Sequence, residues 1–291
     1  MGGRGGSMGG SHGMGGGGGA GGAAKAAAPA APVVQAVAPP APPKPKPKPK
    51  QTREQQLLAQ VKGNPAALMQ MSDQDAADTV RAIDNLPIAK DGTQNDTFVQ
   101  RYMSLVGWDA NKPTVLSEAA YEKARQKAGE ESMYHADNAS RAAVGKKMNQ
   151  QLLSGKQAYY SQGVHGAGTY WAQSDAGGSG GYGQYQVKAF LNGKARPITT
   201  YQLKQDFQQL RRRKPKLYNA LAIAKRGSYG GSPETMYPIL AAARGKNVIL
   251  DNYWGNSTQR SARQYVVTLD RSVLTMSSKT IANADGYTPN W

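Results

Sequence analysis

The hydrophobic pattern of this chain changes at Ser132, and that change limits the folds open to it. Between Thr52 and Ser132 apolar residues recur at helical spacing, whereas after Ser132 they form short runs between glycines. Further helical patterns are interleaved with these runs, but there is no regular alternation of strand and helix, and no Gly-x-Gly-x-x-Gly fingerprint opens a helix. The sequence therefore predicts an α+β fold and excludes a dinucleotide site of the Rossmann kind.

Each predicted helix is marked by a capping residue, a proline start or a glycine stop. Ser72, with Asp75 three positions on, resembles a capping box, in which a side-chain oxygen accepts a backbone N–H of the first turn. A glycine after the last apolar position ends a helix because it tolerates the left-handed conformation. The helices predicted this way start at or after Ser72, Asn95 or Asp96, Ser117, Thr200 and Ser232. They end near Ile83, Gly107, Lys127, Arg213 and Gly245, with a kink at Pro238 in the last one.

The strands are predicted from apolar runs with few polar interruptions. Tyr170 and Trp171 are adjacent in one such run, so one side chain is expected to face the core and the other a cleft. The predicted strands are Met133 to His135, Thr169 to Ala172, Tyr185 to Leu191, Val248 to Leu250, and Tyr265 to Leu269 continuing into Val273 to Met276.

Residues 1–50 consist of glycine repeats, an Ala/Pro tract and alternating Lys-Pro. This segment lacks the apolar area that would offset the entropy of ordering it, so we expect a disordered tail rich in Gly, Pro and Lys. The predicted organisation is this tail over 1–50, a helical N-terminal region over 51–130, and a domain over 131–291 that contains the strands.

The chain carries a formal net charge of +17. Such an excess suits an anionic partner, although solubility alone would also explain it. The basic tail and Arg211–Lys214 are the candidate contacts for a polyanion. Because Arg211–Lys214 follows a predicted helix, complementing the helix dipole is the alternative role for these cations.

Composition removes several classes of site. The chain contains no cysteine and three histidines, so it has no disulfide and no thiolate metal site, and we expect no protein-ligated metal. No window is apolar over the roughly 18 residues that a membrane span needs, and the N-terminus lacks the apolar core of a secretory signal peptide. We therefore expect no membrane partner and no export by the ordinary route.

Four short motifs stand out in the half of the chain that is rich in strands: Met133-Tyr134-His135-Ala136, Gly166-Ala167-Gly168-Thr169-Tyr170-Trp171-Ala172, Gly181-Tyr182-Gly183 and Gln264-Tyr265-Val266-Val267. Together they resemble the cleft of ADP-ribosyltransferases of the diphtheria-toxin and poly(ADP-ribose) polymerase type. Residues 96–101 and 112–117 are similar to ADP-ribosyltransferase-like proteins carried by phages and prophages. The resemblance implies a split β-sheet core over 131–291, preceded by the N-terminal helices, in a protein that is cytoplasmic in a host cell or packaged in a virion.

The resemblance also assigns roles to single residues, with NAD⁺ as the substrate. His135 would bind the adenine-side ribose, while Tyr170 and Tyr182 would stack on the two faces of the nicotinamide. The small residues Ala136 and Gly168 would let the backbone approach the ring. Two aromatic faces suit this ring because it is flat and cationic, and each such contact is worth about 0.5 to 2 kcal/mol.

Gln264 falls where the family has a catalytic glutamate, so His135 and Gln264 are the candidate catalytic residues. A carboxylate there would stabilise the positive charge of an oxocarbenium-like transition state, whereas a glutamine can hold the ribose hydroxyl without supplying that charge. Glu234 is an alternative carboxylate, although its place in the first turn of a helix has its own electrostatic reason.

The implied activity is transfer of a single ADP-ribose from NAD⁺ to a macromolecular acceptor, which would be a host protein or a nucleic acid. Growth of a poly(ADP-ribose) chain is not expected without the glutamate. The alternative is a catalytically impaired ADP-ribosyltransferase-like protein that acts as a virion or DNA-associated binding protein.

Overall fold

In a computed structural model of the protein, the structure describes residues 50–87, 97–136, 150, 152–153, 161–163, 166–172, 185–224, 233–252 and 264–282. The described residues, from Lys50 onward, belong to one compact unit. Apart from Lys50, the predicted tail lies outside the described residues, and Tyr182 and Ser232 do too.

In chain order, helices occur both before the strands and between them. Among the helices whose bounds the described residues give, five precede or flank the first strands: α1 (Arg53–Val61), α2 (Ala67–Gln70), α3 (Asp73–Asp84), α4 (Thr97–Leu105) and α5 (Glu118–Ala128). Three follow later: α6 (Thr200–Arg213), α7 (Pro215–Ala224) and α8 (Tyr237–Ala243), the last preceded by a 3₁₀ turn over Pro233–Met236.

The strands form one mixed sheet, which confirms the α+β prediction. They are β1 (Thr114–Leu116), β2 (Met133–Ala136), β3 (Ser161–Gly163), β4 (Gly166–Ala172), β5 (Tyr185–Leu191), β6 (Pro197–Thr199), β7 (Val248–Asn252), β8 (Gln264–Thr268) and β9 (Leu274–Ala282). Their order across the sheet is β1-β9-β5-β2-β4-β8-β7-β6, and β3 pairs with β4. β1 is parallel to β9 and β6 is parallel to β7, while the remaining pairs are antiparallel.

Local signals located most ends of the helices that were predicted, whereas α1, α2 and α7 were not predicted as separate helices. The Ser72 hydroxyl accepts the N–H of Asp75 at 3.1 Å, and Ser117 caps α5 in the same manner. Gly107, Gly129 and Gly245 have positive φ angles just after their helices, the conformation that glycine adopts at least cost. The helix predicted after Asn95 or Asp96 is present, although both residues lie outside the described structure.

Three predicted boundaries are wrong, each for a local reason. Thr199, not Thr200, caps α6, because the Thr199 side chain and Gln202 form a reciprocal capping box. Pro238 does not kink a helix interior, since it lies in the first turn of α8, where its missing N–H costs little. The final strand is not continuous with β8, because a 3₁₀ turn over Arg271–Val273 separates β8 from β9.

Apolar clusters lie on both faces of the pair β4 and β8. Tyr170 pairs with Val267, and this face borders the larger cluster, which includes side chains from α1 to α4 and from α6 to α8. Trp171 pairs with Val266 and belongs to a second cluster built largely from the strands. Each fully buried aliphatic side chain in such a cluster contributes about 1.5 to 3 kcal/mol. The larger cluster joins residues from both sides of the predicted boundary at 130/131.

A group of charged residues, which we call the Lys188 network, fastens α5 to the sheet. The Lys188 ammonium on β5 contacts the carboxylates of Glu118 and Glu122, and the Ser277 hydroxyl donates to Glu118. The Tyr121 ring lies 5.1 Å from the same ammonium. Residues far apart in sequence are therefore joined by charge, and Lys188 is 8% exposed.

The carboxylates of this network are held in the charged form. Burial favours the neutral acid at Glu118, but hydrogen bonds from Lys188 and Ser277 outweigh it, so the pKa of Glu118 lies below its ordinary value. The hydrogen bond from Lys188 also lowers the pKa of Glu122. Burial opposes the charge on Lys188, yet its two carboxylate partners raise its pKa.

Candidate functional site

Three of the four predicted motif segments lie on neighbouring strands. His135 is on β2, Tyr170 on β4 and Gln264 at the first position of β8, and these strands are adjacent in the order β2-β4-β8. The segments are separated by 35 and 94 positions in the chain, so only the sheet brings them together. The fourth, around Tyr182, lies outside the described residues.

His135 is bonded to the backbone of the strand that carries Tyr170. Its Nδ1 atom lies 2.7 Å from the carbonyl oxygen of Tyr170. Because a carbonyl can only accept, Nδ1 carries the hydrogen in this contact, and in the neutral ring Nε2 is then an acceptor. His135 is 5% exposed, so the ring is held in place by its surroundings as well as by this bond.

Trp171 forms the wall against which the imidazole packs. The two rings have centroids 5.4 Å apart at a tilt of 53°, a geometry typical of favourable ring pairs. The indole Nε1 donates to the Thr268 hydroxyl of β8 at 3.0 Å, so the tryptophan is itself fixed. Trp171 is 1% exposed and the half-buried Tyr170 packs against the larger cluster, so each ring contacts an apolar cluster on its own face of β4 and the cleft predicted for one of them stays a prediction.

The ladder between β2 and β4 is short. Within the described residues, Tyr134 and Ala172 form the register pair between these strands, and the next link is the imidazole of His135 to the Tyr170 carbonyl. Ala136, the last residue of β2, pairs with Gln186 on β5. The predicted site residues Ala136 and His135 thus lie at the end of β2, where β2 is held mainly by β5.

Gly168 has a packing reason that the sequence did not reveal. A Cβ atom at this position would lie 2.3 Å from Cγ1 of Val267 and 3.4 Å from Cδ2 of Leu269. A glycine is therefore required by the side chains of β8 and the turn after it, whether or not a ligand binds nearby.

A polar cluster lies beside Tyr170 at the end of β7, and the sequence analysis missed its main member. Asp251 is 3% exposed, and its carboxylate accepts a hydrogen bond from the Thr200 hydroxyl at 3.1 Å. Burial, together with the negative charges of Glu234 and Asp251, raises the pKa of Tyr237 to about 12. Two carboxylates thus lie close to Tyr237 of α8, Glu234 on the 3₁₀ turn and Asp251 on β7. The turn packs on β4, and α8 packs on both β4 and β7.

Asp251 is also close in register to Gln264. It pairs with Tyr265 on β8, and the next residue, Asn252, pairs with Gln264 itself. Tyr265 in turn pairs with Ala172 of β4, two positions from Tyr170. The signal that could have located Asp251 is its position as an acidic residue directly after the predicted strand Val248 to Leu250, since residues that bind ligands often lie where strands end.

Gln186 is a second polar residue that the sequence analysis missed. It is 1% exposed, and its side-chain nitrogen has no hydrogen-bond partner among the described residues. An unsatisfied buried donor costs about 1 to 3 kcal/mol. Because Gln186 pairs with Ala136, this donor lies beside a predicted cofactor-binding position, and a ligand oxygen would satisfy it.

The predicted basic contact at Arg211–Lys214 needs one correction. Arg211, Arg212 and Arg213 are exposed at the end of α6, but Lys214 is half-buried. Its ammonium donates to the carbonyl oxygens of Met69, at 2.8 Å, and of Met71. Lys214 therefore completes the hydrogen bonding at the end of α2 and is not part of a free basic surface.

The described part of the chain offers neither a metal cage nor a membrane span. No group of three or more histidine or acidic side chains there is placed to hold a metal ion. None of the helices in those ranges is both long and apolar enough to cross a bilayer.

Comparison with proteins of known family, function or structure adds no relative. No family model, no curated protein and no solved structure matches the chain. Any assignment of function therefore rests on the geometry of the residues described above.

Proposed function

We propose that the protein is a mono-ADP-ribosyltransferase that cleaves NAD⁺ and transfers ADP-ribose to a macromolecular acceptor. The observation that carries the proposal is the adjacency of β2, β4 and β8, with the imidazole of His135 bonded to the backbone of Tyr170. The three segments are thus neighbours in the sheet, although the side chains of His135 and Tyr170 lie on opposite faces of it: His135 packs on Trp171, and Tyr170 borders the larger cluster.

The reaction would break one bond and form one. The bond between C1′ of the ribose and the nicotinamide nitrogen breaks, and its electron pair leaves with the nicotinamide, which becomes neutral. A nucleophilic atom of the acceptor bonds to C1′ and gives up a proton. Because positive charge develops on the ribose, nearby negative groups favour the transition state.

The described side chains suit these steps. The half-buried ring of Tyr170 offers a face for the cationic nicotinamide. The imidazole of His135, bonded through Nδ1 to the Tyr170 carbonyl, is the group that the resemblance assigns to a ribose hydroxyl. The carboxylates of Glu234 and Asp251 near Tyr237 give this side of the sheet negative charge that Gln264 does not supply.

The test is transfer of label from NAD⁺ to a host lysate, with binding of NAD⁺ measured by calorimetry. Tyr170→Ala should abolish transfer and weaken binding about 2- to 30-fold, the value of one stacked ring. Tyr170→Phe keeps the ring and should retain binding. Tyr218→Ala, which removes another half-buried tyrosine on α7, is the matched control for binding and should leave the affinity for NAD⁺ unchanged. Unaltered transfer in Tyr170→Ala would exclude this site.

A second candidate is an ADP-ribosyltransferase-like binding protein without turnover, carried in a virion or associated with DNA. Gln264 in place of the family's glutamate and the net charge of +17 favour it. A protein of this second kind does not cleave NAD⁺, whether or not it binds it. Release of free nicotinamide therefore distinguishes the transferase from the binding protein. A location of the protein in a host cytoplasm or in a virion is likewise a proposal.

A further inference from the structure

The outer face of α6 carries a continuous stripe of cationic, amide and aromatic side chains. Its residues follow one another at intervals of three or four positions, with two adjacent pairs among them. Residues at this spacing lie on one side of an α-helix. We call it the α6 stripe; all its members are exposed: Tyr201, Lys204, Gln205, Gln208, Arg211 and Arg212. At the rise of an α-helix the stripe is about 17 Å long.

The cations of the stripe have no acidic partner among the described residues. The one acid in α6 is Asp206, and its carboxylate, 16% exposed, is bound by Arg244. Complementing the helix dipole explains basic residues in the last turn only. It does not explain Lys204 near the middle of α6 or Tyr201 at its start.

Tyr201 is the most exposed of the large apolar side chains in the described ranges, at 69%. An aromatic ring in solvent, in line with guanidinium groups, is the arrangement by which proteins hold an unpaired base between phosphate contacts. The amides of Gln205 and Gln208 lie between these two kinds of group, where they can donate to phosphate or base oxygens.

The Tyr201 end of the stripe is fastened beside the candidate site. Thr200, the residue before Tyr201, donates to Asp251 on β7. The following residue on β7, Asn252, pairs with Gln264. A nucleic-acid strand that lies along α6 with a base on Tyr201 would therefore reach the ends of β7 and β8 at Asn252 and Gln264, where the proposed transfer takes place.

We propose that the α6 stripe binds a single-stranded nucleic acid, and that this strand is the acceptor of ADP-ribose. The acceptor role rests on the proposed function, whereas the binding does not. Lys204, Arg211 and Arg212 contact phosphates, and Tyr201 stacks on a base. An unpaired strand fits better than a duplex because only an unpaired base exposes its face to the ring.

The binding test uses the full chain and a labelled single-stranded 20-mer, titrated over a series of NaCl concentrations. Replacing Lys204, Arg211 and Arg212 with Gln should reduce the slope of log affinity against log salt by about 2, at about 0.7 for each phosphate that is no longer neutralised. Tyr201→Ala should weaken binding about 5- to 150-fold, the value of one stacked base, with the slope unchanged.

The matched control removes the same charge elsewhere. Lys62, Lys123 and Lys127 are exposed and lie on other helices or their ends, so their replacement with Gln changes the net charge equally. This triple variant should keep most of the affinity and slope. Equal losses in the two triple variants would overturn the proposal, because binding would then follow net charge alone. Tighter binding of a duplex, or of an acidic protein, with no effect of Tyr201→Ala would overturn it as well.

The acceptor role is tested with labelled NAD⁺ and the same oligonucleotide. Label should appear on the oligonucleotide and be lost in both Tyr170→Ala and the α6 triple variant. Transfer to protein only, with no competition by the oligonucleotide, overturns the acceptor role and leaves the proposed function intact. If NAD⁺ neither binds nor is cleaved, the proposed function and the acceptor role both fail, and the titration alone decides the binding surface.

Discussion

The Lys188 network and the α6 stripe use similar side chains in opposite ways. In the network the ammonium of Lys188 is buried and both carboxylate partners come from α5, so the charges hold the helix to the sheet. In the stripe the cations are exposed and find no acid among the described residues. Charges paired inside the fold therefore stabilise it, whereas charges left unpaired at the surface are available to a partner.

The largest effect should come from removing the central charge of the network. Lys188→Met leaves Glu118 and Glu122 facing each other, and we expect a loss of about 2 to 4 kcal/mol in the free energy of unfolding. This is less than the roughly 3–5 kcal/mol typical of a fully buried pair, because the carboxylates are 36% and 34% exposed. Urea denaturation measures it. Lys204→Met in the stripe is the control and should lower the free energy of unfolding by less than about 0.5 kcal/mol. Equal losses in the two variants would contradict the difference between the network and the stripe.

A smaller effect should appear in the pH dependence of stability. The folded-state pKa values of Glu118 and Glu122 lie below the ordinary 4.5, so their contribution is complete above that pH and is lost as the pH falls through the lower folded values. The raised pKa of Lys188 adds a contribution that is complete below 10.5 and lost only at higher pH. The stability difference between wild type and Lys188→Met, followed by urea denaturation from neutral to acid pH, should therefore shrink on the acid side. A difference independent of pH would contradict the network.

The smallest effect on stability should come from Gln186. Replacing it with Met removes a buried donor that has no partner in the described structure, so stability should stay the same or rise by up to about 1 kcal/mol. Affinity for NAD⁺ should nevertheless fall about 2- to 10-fold, because the ligand loses one hydrogen bond. Gln100→Met is the matched control: its oxygen is also buried without a partner among those residues, but it lies on α4, and NAD⁺ affinity should be unchanged. A marked loss of stability in Gln186→Met would show instead that its amide is satisfied within the fold.

The helix boundaries could be predicted because capping is a local interaction. Ser72 and Ser117 bond to amides three positions away, and each glycine with positive φ acts on the helix just before it. The errors in the boundaries also had local causes. Thr199, not Thr200, caps α6 because the Gln202 side chain also bonds to the backbone of Thr199. The short strands β1 and β6 were missed, since each is a three-residue element held by a parallel partner far along the chain.

The residues of the candidate site show the same difference between local and long-range information. His135, Tyr170 and Gln264 were predicted from motifs, since the type and order of residues carry that information, and their roles stay predictions. Asp251 and Gln186 were missed, because nothing in the local sequence says that Asp251 is covered by Thr200 or that Gln186 lies beside Ala136.

The order of residues alone specifies the fold class of this protein, the ends of several of its helices, its surplus of positive charge and the motifs that suggest an aromatic site for NAD⁺. Three-dimensional packing specifies which strands are neighbours, which side of β4 each aromatic ring occupies, and which charges are paired. This division arises because strand pairing and charge burial join residues tens of positions apart, as Lys188 and Glu122 are joined across 66 positions. Their energies depend on what the rest of the chain has already brought close.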